Sequence, residues 1–446
     1  MDDDSNGKRS RGASRGLDAL YATAGVLLTP YFVFRRMKGK RSARFSEKLG
    51  DVPQHPAGRR RVWIHAVSVG EAQAAGTLAA ALKLALPDAD LVVSTTTVTG
   101  QEVARKRFGA ENVVYYPHDF SFAVKRFLDR VRPSVIVLME LEVWPNMTAE
   151  AEHRGIPILV ANGRITERSS RRYRRFWPLA GPAFHRVSRW LAQSEEYAAR
   201  LRSLGVDQTR IEVCGNIKYD AIKTRVPDAA ERGAARAALR IPGDATVLLG
   251  GSTHPTEESA LLSAYRNLRG RDASLRLILT PRHPERAAAV AAEIAGAGLS
   301  VIKRTDIQTR GIDECIAALR PEQRENWVLL IDTVGELGAM YALSDLAFVG
   351  GSLIPHGGQN VMEPCGIELP IVHGPHMHNF KEAMELLRAC DGSVEVSRET
   401  LAPALEALLK DRTAAHAMGK RAREAFLKQQ GATAKTVEYI RQFVEK

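Results

Sequence analysis

The feature that most restricts the fold is a series of short apolar segments, each ending in turn residues and followed by a helical pattern. Ser134–Met139 (SVIVLM) is the clearest of them. A strand with no polar side has to be covered on both faces, as parallel strands flanked by helices are. Around it, Val62–Ser68, Asp90–Ser94 and Ile156–Ala161 read as further strands, with helices over Ala72–Leu86 and Thr99–Phe108. A second series follows, with strands at Thr246–Gly250, Leu275–Thr280, Trp327–Asp332, Leu346–Gly350 and Pro370–Gly374. Helices such as Glu258–Leu268 and Glu285–Ala295 separate these strands. The chain has 446 residues, more than one ordinary core accommodates. Two such series predict an α/β protein of two doubly wound, Rossmann-like domains facing across a cleft. The polar, proline-containing stretch Thr224–Asp244 divides them, giving domains at 45–225 and 226–446 with residues 1–44 set apart.

Within those first residues, Ala19–Phe34 is an uncharged apolar run of 16 residues. Lys8, Arg9, Arg11 and Arg15 precede it; Arg35, Arg36, Lys38, Lys40, Arg41 and Arg44 follow. Crossing a bilayer takes roughly 20 residues, so the run either spans, lies in the interface, or is a buried helix of a soluble domain. The denser basic cluster on its C-terminal side favours an inner-membrane anchor that keeps the body of the protein on the cytoplasmic face. The formal net charge of +12 fits that reading, since anionic lipid attracts basic flanks. Nucleic acid is not expected as a partner, because no aromatic-studded basic groove, zinc-finger spacing or coiled-coil basic region is present. Four widely spaced cysteines argue against a disulfide framework and for a reducing compartment.

Ligands of doubly wound sheets bind beyond the carboxyl ends of the strands. Ser68-Val69-Gly70-Glu71 lies at one such end. Glycine allows a tight turn there, and Glu71 either accepts a proton from a sugar hydroxyl or merely complements a helix dipole. Strand 134–139 delivers Glu140-Leu141-Glu142-Val143-Trp144-Pro145-Asn146. Two carboxylates after an apolar strand are costly unless they are hydrogen-bonded, face a cleft, or sit on the surface. Alternation puts Glu140 and Glu142 on one side if the strand persists. Arg164 closes the next strand; Arg168, Arg171, Arg172, Arg174 and Arg175 beyond it touch lipid phosphates or form a solvated basic face. Between the halves, Lys218 in Gly215-Asn216-Ile217-Lys218-Tyr219-Asp220 can balance a phosphate or a carboxylate.

The second half resembles a nucleotide site. Gly250-Gly251-Ser252-Thr253 follows a strand and opens a helix through Pro255, offering N–H groups to an anion. Pro281-Arg282-His283-Pro284 follows another strand, and arginine holds phosphate bidentately. Thr333-Val334-Gly335-Glu336 follows a third. Gly350-Gly351-Ser352, Gly357-Gly358-Gln359-Asn360 and Glu363-Pro364 form a glycine-rich loop that suits phosphate and enters a helix, where Glu363 suits ribose hydroxyls. Neither a Walker A loop nor GxGxxG is present. His373, His376 and His378 fall in a Gly/Pro turn with no helix to present two rings together, so neither metal nor cofactor is expected.

The ordered set HAVSVGE, STTTVTG, MELEVWPN, ANGRI, GNIKYD, GGSTHPTEE, PRHPER, DTVGELG, FVGGSLIPHGGQNVMEP and GPHMHNF resembles the 3-deoxy-D-manno-octulosonic acid (Kdo) transferases of lipopolysaccharide synthesis. The resemblance runs from about Tyr31 to the C-terminus. It implies a GT-B arrangement, with the acceptor on the N-terminal domain and CMP-Kdo on the C-terminal one. It also implies inverting, metal-independent transfer to a lipid A precursor (lipid IVA). Glu71 would be the base, Glu140 and Lys218 would support the charge developing at transfer, and Arg282, Gly335, Glu336, Asn360 and Glu363 would hold CMP. The nucleotide-sugar set is thus Ser252, Thr253, Pro281, Arg282, His283, Val334, Gly335, Glu336, Gly358, Asn360 and Glu363. The acceptor set is Ser68, Gly70, Glu142, Asn146 and Arg164. One position departs: the family usually has histidine where this chain has Gln359, which still donates a hydrogen bond but carries no proton charge.

Overall fold

The computed structural model describes Asp18 and residues 45–222 and 224–445. The apolar run 19–34 and its basic flanks lie outside them. Among the described residues no helix is long and apolar enough to cross a membrane.

The first of two compact units runs to Ala221 and takes back Gln429–Lys446. Its strands are β1 (Arg61–His65), β2 (Asp90–Thr95), β3 (Val113–Tyr115), β4 (Val135–Met139), β5 (Ile158–Gly163), β6 (Arg189–Ala192) and β7 (Ile211–Val213). All pair in parallel, in the order β3-β2-β1-β4-β5-β6-β7. Every residue of β1 and β4 is buried, as strands covered on both faces require. The crossover direction reverses between β1 and β4, which puts the crevice of this sheet at their C-terminal ends.

The second unit, Ile222–Lys428, repeats the plan. Its strands are β8 (Thr246–Thr253), β9 (Leu275–Pro281), β10 (Ser300–Lys303), β11 (Trp327–Leu330), β12 (Leu346–Val349), β13 (Ile371–His373) and β14 (Val394–Glu395). The order is β10-β11-β9-β8-β12-β13-β14, again parallel, with the reversal between β8 and β12.

Two differences from the sequence reading have plain causes. Strands β3, β6, β7, β10 and β14 are not anticipated: each has only two to four residues, and four of the five are sheet edges. Three half-buried residues such as Ile211–Val213 carry no usable period. The stretch 226–446, expected to be all one domain, loses its last helix, Ala432–Val444, to the first unit. Ala432, Val437, Ile440 and Val444 are buried in the same apolar cluster as Val62, Ile64, Val135 and Val137. Burying each valine or isoleucine side chain among them contributes about 1.5–3 kcal/mol. A helical period shows that this face is buried, but not which sheet it covers.

Candidate active site

At the end of β1 the chain turns into helix Val69–Ala85, capped by Ser68. The Ser68 hydroxyl accepts the Glu71 N–H at 3.3 Å. Glu71 reaches back: Oε2 accepts the Val67 N–H at 2.8 Å, and Oε1 accepts the Ser68 Oγ–H at 2.9 Å. This is a capping-box exchange moved one residue towards the N-terminus. It leaves the carboxylate buried, 9% exposed, and held in one orientation. Burial raises its proton affinity above that of an ordinary glutamate, the Val67 N–H and Ser68 pull it back, and the charge of Glu140 adds to the rise. Gly70 lies inside the helix, not in the expected turn, and an added Cβ would meet only Ser68 Oγ, at 4.0 Å. Neither a turn nor a close approach requires glycine at this position.

Strand β4 stops at Met139, and Glu140 takes a left-handed conformation, φ 59°, while its N–H continues the pairing to the Ala161 carbonyl at 2.9 Å. The alternation expected of Glu140 and Glu142 therefore does not apply, because the strand has ended. The turn gathers the carboxylates instead. Burial pushes Glu142 up to about 7, against the pull of the Trp144 indole N–H at 3.1 Å and with repulsion from Glu71 and Glu140. A left-handed non-glycine residue costs free energy and tends to persist at functional sites.

This cluster sets a pH dependence. The folded protein holds a proton on Glu142 that the unfolded chain releases above the ordinary glutamate range. Its stabilising contribution is therefore present below about pH 4.5 and lost as pH rises towards about 7. Glu142→Gln removes that loss. The variant's melting temperature is expected to match wild type near pH 4.5 and to exceed it increasingly up to pH 7, then level off. A constant difference across that range would contradict the coupling.

Of the expected acceptor set, Asn146 follows β4 and Arg164 follows β5, while Lys218 of the expected catalytic set follows β7. Asn146 is buried, with its amide donating to the Asp119 carbonyl at 2.6 Å and to Asp18 at 3.0 Å, while Asp119 accepts its backbone N–H. These bonds tie the start of helix Pro145–His153 to neighbouring loops, so Asn146 holds the scaffold. Arg164 is exposed at the C-terminal end of β5. Lys218 is half-buried on the short helix Ile217–Asp220.

In the second unit the nucleotide set lies at the ends of β8, β9, β11 and β12. Strand β8 runs on through Thr253, with Ser252 half-buried at φ 52°, and the helix opens only at Glu257. The expected anion cradle is therefore displaced. Glu257, fully buried, fills it with its own carboxylate: Oε2 accepts the N–H groups of His254 (3.0 Å) and Gly351 (2.7 Å). Oε1 accepts those of Ser352 and Leu353, both at 2.9 Å. Gly350 is required by approach: a Cβ there would meet the Ser252 carbonyl oxygen at 2.3 Å. Gly357 and Gly358, with φ of 106° and 79°, are buried farther along the loop, and the Gly358 N–H is bonded to the Gly351 carbonyl at 2.8 Å.

Pro281 ends β9 buried, and Arg282 and His283 stand exposed after it, with the Arg282 N–H on the Thr253 carbonyl at 3.0 Å. The Arg282 guanidinium has no carboxylate partner among the described residues. Val334 is 86% exposed and Gly335 has φ 91°. Glu336 is committed: it accepts from Arg304 Nε and Thr333 Oγ1, each at 2.6 Å. Burial opposes its ionisation, but Thr333 and Arg304 outweigh that and hold the carboxyl low. Asn360 orients Glu363, donating to its Oε1 at 3.0 Å while accepting the Met362 N–H at 3.0 Å.

Residues 43–221 match the family described as 3-Deoxy-D-manno-octulosonic-acid transferase (kdotransferase). Over 86% of this chain and 87% of its own length, a 3-deoxy-D-manno-octulosonic acid transferase of Haemophilus influenzae is 32% identical. One from Bordetella pertussis is 34% identical over 85% of this chain and 86% of its own. The chain belongs to the Kdo transferase family. As a member it is a glycosyltransferase. Among solved structures, a glycosyltransferase from Rickettsia africae superposes with a TM-score of 0.52 at 13% identity, over 87% of this chain and all of that one. That likeness identifies two GT-B-like α/β units and nothing finer.

Gln359, at the position where the resemblance implies histidine, has a defined neighbour. Gln359 Nε2 lies 3.2 Å from His254 Nε2; the amide N–H donates, so that imidazole nitrogen accepts. His254 packs on His356 with ring centroids 4.1 Å apart, and burial, with His356, His283, Arg286 and Arg282 around it, pushes it down to about 4. A neutral His254 is the partner that glutamine suits. His254, Glu257 and Arg304 escape sequence reasoning: the first two stand in the GGSTHPTEE motif, but nothing local reveals what they meet.

Proposed function

We propose that this chain transfers Kdo from CMP-Kdo to a lipid A precursor, lipid IVA, at the cytoplasmic face of the inner membrane. One observation carries the reading: Glu71 is a buried carboxylate of raised proton affinity, locked by Val67 and Ser68 at the switch point of the first sheet. An acceptor hydroxyl must lose its proton as it attacks, and a desolvated, fixed carboxylate is suited to take it. The acceptor oxygen bonds to C2 of Kdo while the bond from C2 to the CMP phosphate oxygen breaks. The electron pair leaves with CMP and the proton passes to Glu71. A single displacement inverts the configuration and forms no covalent intermediate on the enzyme.

Lys218 offsets the charge of the leaving phosphate or of the Kdo carboxylate, and Glu140 supports the charge on the reacting sugar. Ser68, Gly70, Glu142 and Arg164 border the acceptor; Asn146 acts only through the scaffold. Arg282 holds the CMP phosphate in bidentate fashion, and Glu363, aimed by Asn360, accepts ribose hydroxyls. Ser252, Thr253, Pro281, His283, Val334, Gly335, Glu336 and Gly358 shape the remaining walls. A nucleoside monophosphate has no pyrophosphate for a metal to bridge, so transfer is expected to survive chelation. The basic-flanked apolar run 19–34 and the exposed Arg168, Arg171, Arg172, Arg174 and Arg175 support a membrane position.

Calorimetric titration separates this reading from a uridine-sugar transferase. CMP is expected to bind at least about ten-fold more tightly than UDP, and Arg282→Ala to lose that binding. A preference for UDP would overturn the donor assignment.

A further inference from the structure

Lys218 stands on a helix of four residues, Ile217–Asp220, too short to hold itself in water. Buried amides at the ends of three neighbouring strands hold it. Asn162 lies where β5 slips register against β6, with φ 55°; Gln193 follows β6; Asn216 follows β7 and caps the helix. Their exposures are 2%, 8% and 8%. Gln193 Nε2 donates to the Asn162 carbonyl at 2.9 Å, and Asn216 Nδ2 donates to Gln193 Oε1 at 3.2 Å. The remaining amide oxygens both face the helix. Asn162 Oδ1 accepts the Ile217 N–H, and Asn216 Oδ1 accepts the Lys218 N–H, each at 3.0 Å.

The other end is fastened by the returning C-terminus. The Asp220 carboxylate accepts the N–H groups of Gly431 (2.7 Å) and Thr433 (2.5 Å), which caps helix Ala432–Val444 where its dipole favours an anion. Gln430 Nε2 donates to the Tyr219 carbonyl at 2.9 Å. Of the four helix residues, Ile217 and Tyr219 are buried and Asp220 is bonded. Lys218 is the one whose polar head is left without a partner among the described residues. Three buried amides are a costly way to pack strand ends, and Asn162 Nδ2 has no partner among the described residues, which adds to the cost. Aliphatic side chains would fill the space but leave the Ile217 and Lys218 N–H groups bare. What the amides fix is the backbone turn that carries the Lys218 ammonium.

We infer that Asn162, Gln193, Asn216 and Asp220 are positioning residues for Lys218, acting on transfer through its ammonium and not by touching substrate. This rests on the role proposed for Lys218 above.

A double-mutant cycle on the full chain tests it, with kcat for Kdo transfer as the readout. Asn216→Ala is expected to lower kcat about ten-fold with little change in the donor KM, because a small displacement of a charge-stabilising group costs rate more than binding. In a Lys218→Ala background, itself impaired, Asn216→Ala should cost nothing further. Asn216→Ser, which keeps a capping oxygen without opposing the Gln193 carbonyl with a carboxylate, should recover kcat to within about three-fold of wild type. Gln193→Leu, singly and with Lys218→Ala, gives the same comparison without touching the cap, should Asn216→Ala fail to fold. A full ten-fold loss in the Lys218→Ala background would make the amides merely structural and overturn the inference. Wild-type kcat in Lys218→Ala would overturn Lys218's role and this inference together. Absence of any Kdo transfer by the unmutated chain would fail the function proposed above.

Discussion

Glu71→Gln is expected to reduce transfer by about 10²- to 10⁴-fold while leaving CMP binding and folding close to wild type. Glutamine keeps the shape and can still accept the Val67 N–H through its carbonyl, so helix Val69–Ala85 should remain capped. The lost property is the ability to take a proton. The pH profile separates this from a structural loss. A base must be ionised to act, and burial with the repulsion of Glu140 raises the proton affinity of Glu71. The acid limb of kcat/KM in the wild type should therefore lie above the ordinary glutamate range, with the rate rising as pH increases through it. That limb should vanish in Glu71→Gln. Wild-type kcat in the variant, or an unchanged acid limb, would remove Glu71 from the chemistry and leave it a helix cap.

The second large effect is expected away from the reacting atoms. Glu257→Ala removes four accepted hydrogen bonds at once, from His254, Gly351, Ser352 and Leu353, inside a site with no exposure. A buried N–H left bare costs about 1–3 kcal/mol, so a loss on the order of 4 kcal/mol is expected even if some groups find new partners. For a unit of this size that corresponds to a fall of about 10 °C in its melting temperature. Glu257→Gln should be nearly as harmful, because one amide face presents N–H to N–H. Hydrogen exchange measured peptide by peptide should speed up across residues 350–360, and CMP affinity should fall with it. Unchanged exchange there would mean that the loop does not depend on Glu257.

Legibility in the sequence followed the range of the determining contacts. Ser134–Met139 could be read because an apolar run bounded by turn residues has few alternatives, and Glu71 because it follows a strand end, with its role as base implied only by the family resemblance. Short edge strands such as Ile211–Val213 could not, since their pairing partner alone makes them strands. The phosphate-cradle reading of the loop at Gly350 failed for a related reason. A glycine-rich turn advertises free N–H groups, but a buried carboxylate arriving from far along the chain had already taken them. Lys218 was visible as a cation between the two halves of the sequence. The amides that aim it come from three strand ends and are joined only by folding. The return of residues 432–444 to the first sheet was hidden likewise, because an amphipathic period does not name its partner.

The most direct measurement is transfer by the purified full-length chain, in detergent, from freshly generated CMP-Kdo to tetraacyl lipid A precursor, with and without EDTA. Kdo-bearing lipid formed at equal rates in both, and absent with Glu71→Gln, is the expected result. CMP binding without any Kdo-bearing product would contradict the proposed reaction, and product that disappears with EDTA would contradict its metal independence.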